Sequence, residues 1–215
     1  MAPHLTANLT LNTTSPTDDA PVHLVYPTQP VSVLIPESGD LEPIYTDRLV
    51  LRPVPLHDPN SDAFKTVAEG EFRMRRREDV ARWLRSSIPH KSIEETVSSL
   101  NAKIFSTPDA SGVIGKHRHL YFFIMSRDEH AEKDIIGLVG INSLHPAPSV
   151  GYALHPDAWG KGYATEAVRG VVDAWWALPR VQLEVSGSDS EKERLFAITQ
   201  RANVGSFKVL QKAGF

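Results

Sequence analysis

The sequence predicts an α/β fold: a mixed, mostly antiparallel sheet flanked by helices. Three observations carry that expectation. Residues 150–154 form an apolar strand that enters a loop holding Gly160 and Gly162 and leaves it as an apolar helix over residues 164–176. Residues 194–199 read as a second strand, followed by a helix that begins at Asn203. Residues 120–126 and 134–144 are two further strands, joined across a charged turn at 127–133 in the manner of a long hairpin.

The elements follow in chain order. Residues 1–45 are dominated by Pro, Thr, Ser and Asp and read as an extended or partly disordered segment. Two β-like pieces, 22–26 and 31–35, stand in it between prolines. The domain itself is expected over 46–215. Residues 49–54 are its first strand. Residues 61–69 have helical spacing with Ser61 or Asn60 as the N-cap, and 78–86 a second helix with Val80, Trp83 and Leu84 on one side. Ser92-Ile93-Glu94-Glu95 is a capping-box start for a third helix that runs to Phe105. Residues 107–116 are loop, 149–154 the fourth strand, and 180–193 an inserted loop.

Composition narrows the function classes. A 215-residue chain with 41% hydrophobic residues can bury a sizeable single core. A net charge of -3 supplies no field that would draw nucleic acid or an anionic membrane. With no cysteine, a disulfide, a thiolate nucleophile and a Cys-based zinc site are excluded, and no metal site is expected. The apolar runs are too short to span a bilayer, and residues 1–20 have neither an apolar signal core nor arginine, so cytoplasm is the expected location.

The glycine loop carries the chemistry. Glycine permits positive φ and close approach of a ligand to the main chain. The following helix turns its free N–H groups and positive dipole end toward the loop, which suits a phosphate or pyrophosphate. The groups in place are the N–H groups of Trp159, Gly160, Lys161, Gly162, Tyr163 and Ala164. The Lys161 side chain either adds charge near phosphate or is simply solvated. Trp159 and Tyr163 either pack on the ligand or wedge the helix against the sheet. Glu166 lies in the first helical turn, where the dipole favours an acid whatever its function.

Two runs carry a family resemblance. Trp159-Gly160-Lys161-Gly162-Tyr163-Ala164-Thr165-Glu166-Ala167 and the series Thr199, Asn203, Ser206, Val209-Leu210, Lys212, Gly214-Phe215 resemble motifs A and B of the GNAT acetyltransferase superfamily. The chain is most similar to its RimJ/RimL-like branch of ribosomal-protein N-acetyltransferases. Thr46-Asp47-Arg48-Leu49-Val50-Leu51-Arg52-Pro53 resembles that branch's first strand, so the resemblance covers residues 46–215.

The resemblance implies acetyl-CoA as co-substrate, no metal, and transfer of an acetyl group to a primary amine on a protein N-terminus or small molecule. It implies splayed fourth and fifth strands with the pantetheine arm in the gap, paired with Leu154 and the main chain of Tyr152 and Ala153. Asn203 is an N-cap by position and by resemblance also bonds the arm. Ser206 is a cofactor contact by resemblance and the candidate acid for the departing thiolate, because Leu210 stands where many relatives carry a tyrosine; a cofactor contact alone is the other reading. Asp157 replaces the Gln or Arg of the longer motif and is expected to point away or cap the turn.

No general base stands out. The fourth strand has no carboxylate, and His145, His155, His119 and Tyr121 are candidates with equally ordinary structural readings. Arg73, Arg75, Arg76 and Arg77 either attract an acidic acceptor or pair with Glu69, Glu71, Glu78 and Asp79. The family continues past Gly214-Phe215 into two more strands, so C-terminal strands are expected to be missing and the edge of 194–199 to be open: either a partner or 22–26 or 31–35 covers it, or the N-terminal segment is a disordered tail and its β-like pieces are incidental. The alternative reading is a catalytically weak acyl-CoA-binding or interaction module. No nucleic-acid or membrane partner is expected, and oligomeric state is left open.

Overall fold

The computed structural model describes residues 7–12, 31–113, 117–127, 134–182 and 193–215. Its elements are β1 (Ala7–Asn12), β2 (Ile44–Tyr45), β3 (Leu49–Pro53), α1 (Asp62–Arg75), α2 (Glu78–Ala81), α3 (Ile93–Asn101), β4 (Leu120–Ser126), β5 (Ile135–Ser143), β6 (Ser149–Leu154), α4 (Tyr163–Ala177), β7 (Leu195–Gln200) and α5 (Val204–Ala213). All the strands join one sheet in the order β1-β7-β6-β5-β4-β3-β2. The pairs from β2 to β6 are antiparallel, while β6–β7 and β7–β1 are parallel. The sheet is therefore mixed and mostly antiparallel, as the sequence predicts.

Each face of the sheet packs against its own helices because side chains alternate along a strand. On one face Leu49, Leu51, Val139, Ile141 and Val150 meet Val168, Val171, Val172 and Trp175 of α4. On the other, Tyr121 and Leu138 meet Phe64 and Val67 of α1 and Leu100 of α3. Phe64 and Trp175 are essentially inaccessible to water. Burial of one such side chain stabilises the fold by roughly 1.5–3 kcal/mol.

Caps set most helix starts. Ser61 accepts from the N–H of Phe64, and Ser92 from that of Glu95. The reciprocal bond of the expected box is made one residue early, from the N–H of Lys91 to Glu95. Helix α1 runs past the expected end at residue 69 because Gly70 is used for contact, not termination: a Cβ there would lie 3.0 Å from Ile135 of β5. Helices α2 and α3 stop short of the expected ends, and Trp83, Leu84 and Ile104 fall in turns. At the end of α4, the Arg180 guanidinium donates to the carbonyls of Trp175, Trp176 and Leu178, and the Trp175 carbonyl also accepts from the N–H of Leu178.

The N-terminal segment behaves differently from the expectation. The strand along β7 is β1, parallel and in register from Ala7↔Leu195 to Asn12↔Gln200. Residues 31–35 do not cover that edge. Val33 bridges Arg180, Leu34 donates to Pro179, and Val31, Val33 and Ile35 are buried in the α4-side core. Residues 22–26, 128–133 and most of the loop 180–193 lie outside the described residues. β-propensity alone had pointed away from the Thr/Asn-rich segment, yet backbone pairing along an edge needs no apolar side chains.

His119 tests the packing of this layer. It is fully buried, accepts from the N–H of Tyr121 through Nδ1, and bonds Ser38 through Nε2 at 2.8 Å. Burial, reinforced by the nearby charges of His57 and His117, pulls its pKa from 6.5 to about 4. Between those values the unfolded chain holds a proton that the folded chain lacks. Stability is therefore whole above pH 6.5 and is lost as pH falls toward 4, by about 3 kcal/mol if this group acts alone. Denaturant titrations across that range should show the slope, and His119→Gln should flatten it.

Among the described residues no helix is long and apolar enough to cross a membrane, and no group of three or more His, Cys, Asp or Glu side chains is placed to hold a metal.

Candidate active site

Strands β6 and β7 pair only at Ser149↔Phe196 and Val150↔Ala197, then separate. This is the expected splay. The N–H of His155 donates to Ile136 on β5, so by antiparallel alternation the main-chain groups of Tyr152 and Leu154 point the other way, into the gap. The fork thus presents open strand edges. The buried hydroxyl of Thr199 on β7 has no hydrogen-bond partner among the described residues.

The glycine loop sits at the open end. Gly160 and Gly162 have φ of +75° and +82°, the left-handed region that glycine enters without strain. The N–H groups of residues 160–165 bond to none of the described residues; the first helical bond is Glu166 N–H to Gly162. Those of Tyr163, Ala164 and Thr165 belong to the first turn of α4, and those of residues 160–162 to the loop before it. The N–H of Trp159 is different, because it is tied to Pro156 at 2.9 Å, and so leaves the set that the sequence suggested. Lys161 is exposed, and Asp157 points to solvent beside His155, as expected.

Arg48 locks the loop from behind. Its guanidinium donates to the carbonyl of Lys161 at 2.9 Å, pairs with Glu166 at 2.6 Å, and lies 4.8 Å from the centre of the Tyr163 ring. The Glu166 carboxylate also accepts from Thr46 and from the N–H of Arg48. Burial pushes Glu166 up, but these bonds hold it below its ordinary range. Glu166 is therefore structural, and it joins the start of β3 to α4. Tyr163 packs against the α4-side core, the wedge role rather than a free ring. Trp159 is 43% exposed and its indole donates to the carbonyl of Leu154 at 2.9 Å. That carbonyl is thereby taken, leaving the N–H of Leu154 and both main-chain groups of Tyr152 facing the gap.

Asn203 caps α5, its side-chain oxygen accepting from the N–H of Ser206 at 3.0 Å. Ser206 stands in the first turn and is half-buried. The Tyr152 phenol reaches the carbonyl of Ser206 at 3.5 Å, and burial raises its pKa to about 12. Leu210 is buried in the core.

Two of the candidates for a base are enclosed. His119 and Tyr121 are buried, the second held protonated by burial and by the neighbouring Glu71. His155 accepts from the N–H of Asp157 and caps the turn, and His145 is exposed. The basic run closes α1 and is largely paired: Arg73 with Asp134, Arg75 with Glu71, Arg77 with Asp79. The Arg75–Glu71 and Arg77–Asp79 pairs are among those the sequence offered, whereas Asp134, the partner of Arg73, lies 61 residues on and carried no such sign.

A polar cluster absent from the sequence reading lies beneath α1 and α3. Glu71 is wholly buried, with its carboxyl raised by desolvation against the pull of Arg75. Arg75 also reaches the Tyr121 phenol. Lys103 lies 4.7 Å from the centre of the Tyr121 ring and donates to Asn142 at 2.6 Å. Desolvation and the charge of Arg75 bring Lys103 down to about 8.

A fork between parallel strands, capped by a glycine loop and a helix N-terminus, offers free N–H groups and a strand edge of the kind that suits an extended, phosphate-bearing ligand. The family model for the Acetyltransferase (GNAT) domain matches residues 48–215, and the chain belongs to that family of acyl-CoA-dependent acetyltransferases. Solved structures share the fold. A GNAT-family acetyltransferase from Bacillus anthracis is 17% identical with a TM-score of 0.54, over 80% of this chain and 82% of that one. The ribosomal L7/L12 alpha-N-protein acetyltransferase RimL, in complex with coenzyme A, is 16% identical with a TM-score of 0.54, over 81% and 84%. No curated protein matches the chain.

Proposed function

We propose that this chain transfers the acetyl group of acetyl-CoA to a primary amine by direct attack, without an acyl-enzyme. The fork carries the reading, because its free edge leads from the unengaged N–H groups of residues 160–165 to the last β6–β7 pair. The loop holds pyrophosphate, and the groups of Tyr152 with the N–H of Leu154 pair with the amides of the pantetheine arm. Thr199 and Asn203 border the same channel. Ser206 gives its proton to the departing thiolate, and the attacking amine returns one through water. The acceptor is the amine of a protein N-terminus or of a small molecule; the similarity to RimL, a ribosomal L7/L12 alpha-N-protein acetyltransferase in complex with coenzyme A, supports the first. We place the reaction in the cytoplasm.

Thiol release from acetyl-CoA with a panel of N-terminal peptides and small amines tests this. Turnover with at least one amine is expected. Binding without turnover across the panel would leave an acyl-CoA-binding module. Ser206→Ala should lower kcat by about 10²-fold with CoA affinity unchanged. Unchanged kcat removes Ser206 from the chemistry.

A further inference from the structure

The register of β5 against β6 shifts between Ile141 and Ser143, so Asn142 between them has no strand partner. Its exposed side chain lies on the α3 side of the sheet, where Lys103 donates to its Oδ1 at 2.6 Å. An ammonium only donates, so the oxygen must face Lys103 and the NH₂ must face away. The NH₂ lies over Gly151: a Cβ built on that glycine would be 2.0 Å from Nδ2 and 3.0 Å from Cγ. Gly151 is the first residue of β6 beyond Val150↔Ala197, the last pair before the strands part. Nδ2 itself donates to none of the described groups. An oriented, unused donor therefore stands at the closed end of the fork, on the face opposite α4.

We propose that Asn142 is a catalytic residue whose Nδ2 donates to the carbonyl oxygen of the acetyl thioester, with Lys103 as its positioning residue. This rests on the cofactor reading above. An arm that starts at the glycine loop and runs back along β6 brings its sulfur end to Gly151. Attack by an amine moves charge onto the carbonyl oxygen, and a donor already aimed there strengthens its bond as that charge grows. Glycine at 151 is required because any side chain would push the amide away. The positive charge of Lys103 on Oδ1 polarises the amide toward a better donor.

Calorimetric titration of the full chain with CoA and with acetyl-CoA tests the assignment without needing the acceptor. The unmodified protein should prefer acetyl-CoA by about fivefold, the worth of one net hydrogen bond. Asn142→Ala should remove that preference while CoA affinity stays the same, and Lys103→Met should narrow it. Asn142 is exposed, so its truncation leaves the fold intact. Absence of any preference in the unmodified protein, or its survival in Asn142→Ala, overturns the proposal while leaving the cofactor reading in place. Failure of both ligands to bind the unmodified protein overturns the cofactor reading and this proposal with it.

Discussion

Gly160→Asp should cut CoA affinity by roughly 30- to 100-fold in a protein that still folds. A carboxylate a few ångströms from a pyrophosphate is repelled by about 2–3 kcal/mol at the effective dielectric of a protein surface. The substitution is tolerable for the chain itself. Nothing lies within 4 Å of a Cβ built at Gly160, and Asp is among the residues that enter the left-handed region at modest cost. Gly160→Asn is the control, with similar shape and no charge, and should lose little by comparison. Gly162→Asp is the poorer probe, because its Cβ would lie 3.3 Å from the Arg48 guanidinium, which would neutralise the new charge. Equal CoA affinity in a folded Gly160→Asp variant, measured by calorimetry, would falsify the phosphate role of the loop.

Arg75→Met should destabilise the fold by about 3–5 kcal/mol near neutral pH, since it strands the Glu71 carboxylate without its partner. The side chain of Glu71 is 1% exposed and that of Arg75 11%, so water cannot replace the lost pairing. The pH dependence separates this cause from lost packing. Burial already raises Glu71 above its ordinary value, and removal of Arg75 raises it further. The penalty belongs to the charged carboxylate, so it is full above the raised pKa and shrinks as pH falls through it. Adding Glu71→Gln to Arg75→Met should recover most of the loss. Denaturant midpoints that fall equally at all pH values, with no recovery in the double variant, would assign Arg75 a packing role instead.

Several parts of the site were legible before the fold. Gly160 and Gly162 stand at positive φ where the loop reading needed them, and Asn203 caps α5 as its position suggested. Strands β4 and β6 run over the residues that their apolar runs predicted. The Trp159 indole on the Leu154 carbonyl was not legible, because a residue type does not state which partner its N–H will find. The enclosure of His119 by Ser38 and by the main chain of Tyr121 was not legible for the same reason.

The sequence by itself determined the elements from β3 onward, the glycine loop, the caps and the order in which those strands and helices succeed one another, but not β1 or β2. These rest on periodicity and on contacts within a few residues, which a linear pattern records directly. Only the tertiary structure decided that Ala7–Asn12 lies along β7, that Arg48 braces the loop through Glu166 across 118 residues, and that Lys103 turns the amide of Asn142 across 39. Such pairs are chosen by the packing of the sheet against its two helical layers, and neither partner carries a local sign of the other.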